Sequence, residues 1–302
     1  MHKRNYATAL PAVAGLAVLL LTACSGSGSS HPSGGTATIS EQQEEAAAST
    51  IPVTAQADSN WAGYVVARHP TTRTTYSHVS GSWTQPSVFC QASFPSHSAF
   101  WVGLGGYSGE HLEQTGTSAD CSASGQAIYS VWYELVPAAQ VPVSMTVHPG
   151  DRISAHVAVS GDTVTVSISD LTRHTTFSKR LQMTSPSISS AEWIAEAPSQ
   201  CVSSSSRDCH ILSLADFGGV RFTGASVSSG DRTGSITSGL GQVSELTLQA
   251  APGFGRLYAT AAQANAVPRA LSGNGSSFTV SWQRPQIQMP APPVIVSGPI
   301  YH

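Results

Sequence analysis

The sequence predicts an all-β fold, a jelly-roll-like sandwich of two antiparallel sheets, and three observations carry that reading. The first is composition: of 302 residues only 10% are charged, against about 25% in an ordinary soluble domain, and Gly, Ser and Thr are abundant. Such chains favour strands and turns over helices. The second is strict alternation of apolar and polar side chains, which puts one face of a strand in a core and the other outside it. The third is repetition: about a dozen such runs are separated by turn signals, as two packed antiparallel sheets require.

The clearest runs are Val143-Ser144-Met145-Thr146-Val147, then Ile153 to Val159, then Thr163 to Ser169. Pro149-Gly150-Asp151, Ser160-Gly161-Asp162 and Gly273-Asn274-Gly275 mark turns around them. Residues 58–284 read as one β domain, with room for one short helix between Leu257 and Leu271. The last residues, 285–302, are Pro-rich and read as an extended surface tail.

The first segment reads as an address. His2, Lys3 and Arg4 precede an apolar run, residues 7–21, of a length suited to a signal peptide. It ends in Leu21-Thr22-Ala23-Cys24, which resembles a bacterial lipobox, so residues 1–23 are expected to be removed and Cys24 lipidated. Residues 24–57 then form a flexible tether, or a short propeptide, with a reach of roughly 30 Å. The chain is thus expected outside the cell, held to the membrane at its surface through Cys24 or secreted, and a monomer is expected. Export permits disulfides. Cys90, Cys121, Cys201 and Cys209 allow three pairings, of which Cys201 with Cys209 is the natural local one, leaving Cys90 with Cys121.

A net charge of −3 with no basic cluster argues against a nucleic-acid partner. No GxSxG elbow, HExxH pair, phosphate loop or metal-ligand spacing occurs, and no cofactor or metal is expected. What stands out is polar residues set into apolar strands: Gln114 in Leu112-Glu113-Gln114-Thr115-Gly116, Glu134 in Trp132-Tyr133-Glu134, and Glu196 in Ala191-Glu192-Trp193-Ile194-Ala195-Glu196. As a strand, the last string places Glu192, Ile194 and Glu196 on one face and Trp193 and Ala195 on the other.

Taken together and in order, these strings resemble the glutamic peptidase family, the eqolisins or family G1. The similarity starts at Asp58-Ser59-Asn60-Trp61-Ala62-Gly63. It continues through Val79-Ser80-Gly81-Ser82-Trp83 and Phe100-Trp101-Val102-Gly103, then the three strings above, and reaches Leu248. The resemblance implies a concanavalin-like sandwich and an endopeptidase acting on polypeptides, with Gln114 and Glu196 as the catalytic pair. It places Trp101 and Glu134 along the substrate cleft, and a disulfide just after the catalytic Glu, where Cys201 and Cys209 lie. One departure stands out: Gly105 occupies a position where fungal members carry Asp.

The chemistry expected of such a pair is acid proteolysis. Ionised Glu196 takes a proton from water and returns it to the leaving nitrogen, and the neutral Gln114 amide stabilises the oxyanion. A base titrating near an ordinary Glu value, about 4.3, makes the activity acidic. Two rivals remain at this stage. Glu134 and Glu196 could serve a jelly-roll glycosidase as its carboxyl pair, or the scaffold could be a non-catalytic binding module at the cell surface.

Overall fold

The computed structural model describes residues 51–109, 111–201, 209–249 and 264–284. The signal segment, Cys24, most of the expected tether, the tail 285–302 and the start of the expected helix lie outside them. Among the described residues the chain is all strand and loop. It opens with β1 (Val53–Asp58), β2 (Trp61–Ala67), β3 (His78–Thr84), β4 (Ala99–Gly105), β5 (Leu112–Cys121), β6 (Ala127–Val136) and β7 (Val141–Val143). Then come β8 (Arg152–Ser160), β9 (Thr163–Asp170), β10 (Thr175–Gln182) and β11 (Ser190–Glu196). A small antiparallel pair, β12 (Ser199–Cys201) and β13 (Cys209–Ile211), leads to β14 (Gly219–Ser229), β15 (Arg232–Gly234), β16 (Gln242–Leu248), β17 (Asn265–Pro268) and β18 (Phe278–Gln283).

The two expected sheets are joined. One hydrogen-bonded path runs β10-β9-β8-β3-β14-β18-β17-β16-β2-β11-β4-β5-β6-β7. It doubles over so that its two halves face each other, and β16, β17 and β18 turn the corner. Side chains bridge the layers: the Trp193 indole N–H on β11 donates to the Ser80 carbonyl on β3 at 2.7 Å, and the Trp83 indole N–H on β3 donates to Thr117 Oγ1 on β5 at 3.0 Å. At the far edge Tyr133 on β6 stacks on Phe177 on β10, centroids 5.8 Å apart.

The alternation in β8 and β9 sends Ile153, Ala155, Val157, Val164, Val166 and Ile168 into the core between the layers. β4 and β5 differ, being buried along nearly their whole length. Their inner side chains, Phe100, Val102 and Leu104, join the main core. Their outer ones, Ala99, Trp101 and Leu112, join a second apolar cluster with Val65, Trp132, Ile194 and Leu246. A strand with both faces covered belongs to the centre of its sheet, and this second cluster is the floor of the site described below.

Two expectations change at the ends. The tether was expected to run to residue 57, but β1 begins at Val53 and pairs in parallel with β16, Val53 opposite Val243 through Asp58 opposite Leu248. Within 257–271, Asn265–Pro268 is strand β17 between β16 and β18, not helix. Cys90 and Cys121 are bridged. Cys209 is also in a disulfide, and its backbone pairs with that of Cys201, whose side chain lies outside the described set. The Pro149-Gly150-Asp151 turn is pinned by a buried carboxylate. Asp151 accepts from the His148 backbone N–H at 2.8 Å and from Arg173 Nε at 2.9 Å. Burial pushes that carboxyl up, but Arg173 and the His148 N–H outweigh it and hold it below the usual range.

Candidate active site

Strand register assembles the site. Across β11, β4, β5 and β6 the residues Glu192, Gly103, Gln114 and Glu134 stand opposite one another. Two residues along lies the row Ile194, Trp101, Gly116 and Trp132, and two further along lies Glu196 beside Ala99 and Ser118, with Trp61 on β2 at its other flank. Alternation puts these rows on one face, the face turned away from the main core. Gln114, Glu134, Trp101 and Glu196, far apart in sequence, therefore share one surface.

Gly116 explains part of its string. A Cβ there would run into the Phe100 carbonyl and the Trp101 backbone and Cβ, so only glycine lets β5 approach β4 this closely at Trp101. Around it Thr115 Oγ1 donates to the Trp132 carbonyl at 2.8 Å, and the Trp132 indole N–H donates to Ser118 Oγ at 2.9 Å. Both strands are thereby fixed beneath Gln114.

Glu196 is held from two sides. The Trp101 indole N–H donates to Oε2 at 2.7 Å and Asn60 Nδ2 donates to Oε1 at 3.0 Å. Asn60 is aimed by the turn before β2, where Asp58 Oδ1 accepts from the backbone N–H groups of both Asn60 and Trp61 at 2.9 Å. Trp61 packs edge-on against Trp101, centroids 5.0 Å apart. Burial raises the Glu196 carboxyl to about 8; the Trp101 N–H opposes this, the nearby Glu134 charge adds to it, and Trp61 and Asn60 oppose it more weakly. That value lies above the expected base value near 4.3.

Gln114 does not bond Glu196 directly. Its Nε2 donates to Glu134 Oε2 at 2.7 Å, while its Oε1 is buried with no partner. Glu134 thus orients the amide, with the carbonyl oxygen turned away from it. Burial raises the Glu134 carboxyl, with the Gln114 N–H opposing. Trp101, expected along the substrate cleft, is 0% exposed, and its indole N–H meets Glu196. Glu134, expected to touch substrate, has one oxygen engaged by Gln114.

Two further carboxyls lie close by, Glu192 on the same face as the pair and Glu113 on the opposite face of β5. Glu113 and Glu192 are both 0% exposed. Glu113 Oε1 accepts from the Ser187 backbone N–H at 2.8 Å and its Oε2 has no partner; neither oxygen of Glu192 has one. Burial raises Glu113 to about 7 and Glu192 well above the usual range, the Glu113 charge adding to the second. Asn60, Glu113 and Glu192 lie within the strings that carry the family resemblance, but nothing in the sequence alone assigns them a role; for Asn60 the local signal is its place after Asp58-Ser59, a turn-forming pair. Gly105 is accounted for here: its φ is +82°, and a Cβ would collide with the Ser187 side chain, so no Asp fits.

Among the described residues no group of three or more His, Cys, Asp or Glu converges as a metal site would require. A groove of about 660 Å³ lies elsewhere, lined by Tyr133, Pro142, Phe177 and Lys179 among others, and contains none of the groups above.

Residues 59–264 match the peptidase A4 family, about two thirds of the chain. The chain belongs to that family, the glutamic peptidases. Aspergillopepsin-2 of Aspergillus niger is 31% identical over 200 residues, covering 58% of this chain and 66% of that protein. This glutamic peptidase chain therefore spans just under two thirds of that relative's length. Among solved structures it is similar to scytalido-glutamic peptidase with a transition state analog inhibitor, at 26% identity and a TM-score of 0.57, covering 75% of this chain and 98% of that one. A second structure of scytalido-glutamic peptidase, with a peptide-based transition state analog, gives 23% identity and a TM-score of 0.53 over 74% and 98%, a likeness of fold.

Proposed function

We propose that this protein is an acid-active endopeptidase that hydrolyses peptide bonds with Glu196 and Gln114 and no cofactor. The observation that carries this is the fixed Glu196 carboxyl, gripped by Asn60 and Trp101, on the same sheet face as an amide whose oxygen lacks a partner. A neutral Glu196 is a bifunctional catalyst. Its carbonyl oxygen takes a proton from the attacking water while its O–H gives one to the scissile carbonyl oxygen. The product is a neutral gem-diol, and Glu196 stays neutral. In the second step one gem-diol hydroxyl returns its proton to Glu196 as Glu196 protonates the leaving nitrogen, and the C–N bond breaks. The Gln114 N–H not bonded to Glu134 donates to the oxygen on which charge develops, and its Oε1 accepts from the water. The glycosidase alternative has no use for an amide bonded to one of its two carboxyls, and the family match favours peptides. The same reading keeps the chain exported and anchored through Cys24.

The test is digestion of a denatured protein substrate by the full chain from pH 2 to 8, with chelators and serine-protease inhibitors present. Cleavage is expected throughout the acid range, with no loss on descending through pH 4.3 and a decline as pH approaches 8. Sensitivity to either inhibitor class, or no cleavage by folded protein, counts against the proposal. Glu134→Leu leaves Gln114 Nε2 without its acceptor, and kcat/KM is expected to fall about 100-fold; Glu134→Gln, which can still accept, should cost about 10-fold. Equal effects in both would show that orientation of the amide is not the role of Glu134.

A further inference from the structure

Strand β1 precedes the residues matched by the family, yet it is tied to the site face. Tyr107, just beyond the end of β4, packs on the apolar floor of the site. Its hydroxyl lies 3.0 Å from Gln56 Oε1 on β1 and 3.0 Å from Ser244 Oγ on β16, and Gln56 Nε2 donates to Ser244 Oγ at 3.3 Å. Three groups form a closed ring: the tyrosine O–H is placed to donate to Gln56 Oε1 or to Ser244 Oγ, and the Gln56 amide donates to Ser244 Oγ.

The reach of that ring matters. β4 and β16 are separated in the sheet by β11 and β2, three inter-strand steps or about 14 Å. A residue from the end of β4 that bonds side chains on β16 and β1 must cross the face over the two strands between. The burial pattern agrees. Val65 on β2 and Glu192 on β11 are 0% exposed and Leu246 on β16 is 1% exposed, though all three sit on the outer face. At the other end Trp61, Glu196 and Glu134 remain partly accessible. The face is covered on the β16 side and reaches solvent at Glu196 and Glu134, while Gln114 between them is 4% exposed.

We propose that β1 is a working part of the cleft: through Gln56 it locks Tyr107 across the face, and Tyr107 sets how far a bound peptide extends past Glu196 and Gln114 toward β16. This rests on the peptidase reading above and adds a specificity-determining residue to it. The locking strand lies outside the matched residues 59–264.

A ladder of peptides lengthened one residue at a time on either side of one scissile bond tests this with the full chain. For the wild type, kcat/KM should stop rising with length on one side. In Tyr107→Ala the limit should move outward by one or two residues, with kcat/KM for the longest peptides rising about 10-fold relative to the shortest, through KM. Tyr107→Phe and Gln56→Ala open the ring without removing the aromatic body and should give matching shifts of about 3-fold in the same direction. These two decide the matter if Tyr107→Ala does not fold. Unchanged length profiles in both overturn the proposal. The same ladder, labelled and bound to Glu196→Gln chains carrying each substitution, gives the profile by fluorescence anisotropy. If the wild type binds the ladder without cutting it, the peptidase reading fails while the stop at Tyr107 is still judged by length dependence of binding.

Discussion

Glu196→Gln is expected to lower kcat by about 10³–10⁴-fold while the protein stays folded, because one atom changes and that atom carries the proton. The substituted amide has nearly the size of the carboxyl. Its oxygen can still accept the Trp101 N–H, the shorter of the two contacts at 2.7 Å. Its nitrogen then faces Asn60, whose own amide can turn to offer oxygen. What is lost is the group that both takes the water proton and protonates the leaving nitrogen, and neither step has another donor on this face at the right place. Gln114→Ala should cost less, about 10²–10³-fold, since it removes charge stabilisation and water positioning but not the proton shuttle. The double variant should be little worse than Glu196→Gln alone, because groups that act on one transition state are not additive. The check is kcat on a peptide substrate at pH 3–6 beside the thermal midpoint of each variant. More than a tenth of wild-type kcat in a folded Glu196→Gln protein would exclude Glu196 from the chemistry.

Much of this geometry is legible in the sequence, and the part that is not has a physical cause. The alternation of residues 153–159 and 163–169 is enough to read β8 and β9, since each buries one face only. The strings around Gln114, Glu134 and Glu196 place those residues on strands, and period two alone puts Glu192 and Glu196 on one side of β11. Register between strands is not in any one string. It takes the pairing of β11 with β4, β4 with β5 and β5 with β6 to bring Glu196 and Gln114 to one face. The protonation state was missed for the same reason. Glu196 is raised by burial within the folded sheet, where its neighbours Trp61 and Trp101 lie 135 and 95 positions away in the chain, so nothing near it in sequence announces a carboxyl near 8. β1 was missed because Val53-Thr54-Ala55-Gln56-Ala57-Asp58 has almost no apolar face. An edge strand lying on the surface needs none, and its signal is the pairing with β16, 190 residues later.

The largest effect on stability is expected from pH, and its direction follows from the raised carboxyls. Glu113, Glu134, Glu192 and Glu196 are all pushed up by burial, Glu113 to about 7 and Glu196 to about 8. In the unfolded chain each releases its proton near 4.5. Between that value and its native one the folded state holds the extra proton, so stability falls as pH rises, by roughly 1.4 kcal/mol per pH unit for each group. His78 and His156, stacked 5.5 Å apart and both lowered by burial, work the other way below pH 6.5, where the unfolded chain binds protons the native one refuses. Asp151, held low through Arg173, likewise loses its contribution as pH falls through its lowered native value. The optimum should therefore lie on the acid side of neutrality, with a net loss of several kcal/mol by pH 7.5, a large share of the 5–15 kcal/mol typical of a folded domain. For a domain of this size that lowers the midpoint by about 10 °C or more. Calorimetry across pH 4–8 measures it directly. Glu113→Gln and Glu192→Gln each remove one carboxyl that must stay protonated and should flatten the decline between pH 5 and 7. A midpoint that rises from pH 5 to 7.5, or a slope untouched by either substitution, would mean that water reaches these carboxyls and that they ionise in the native state. Glu196 is raised by the same cause though its side chain is partly accessible, so such a result would also return it to the ordinary carboxylate range and restore the ionised base as the route to a nucleophilic water.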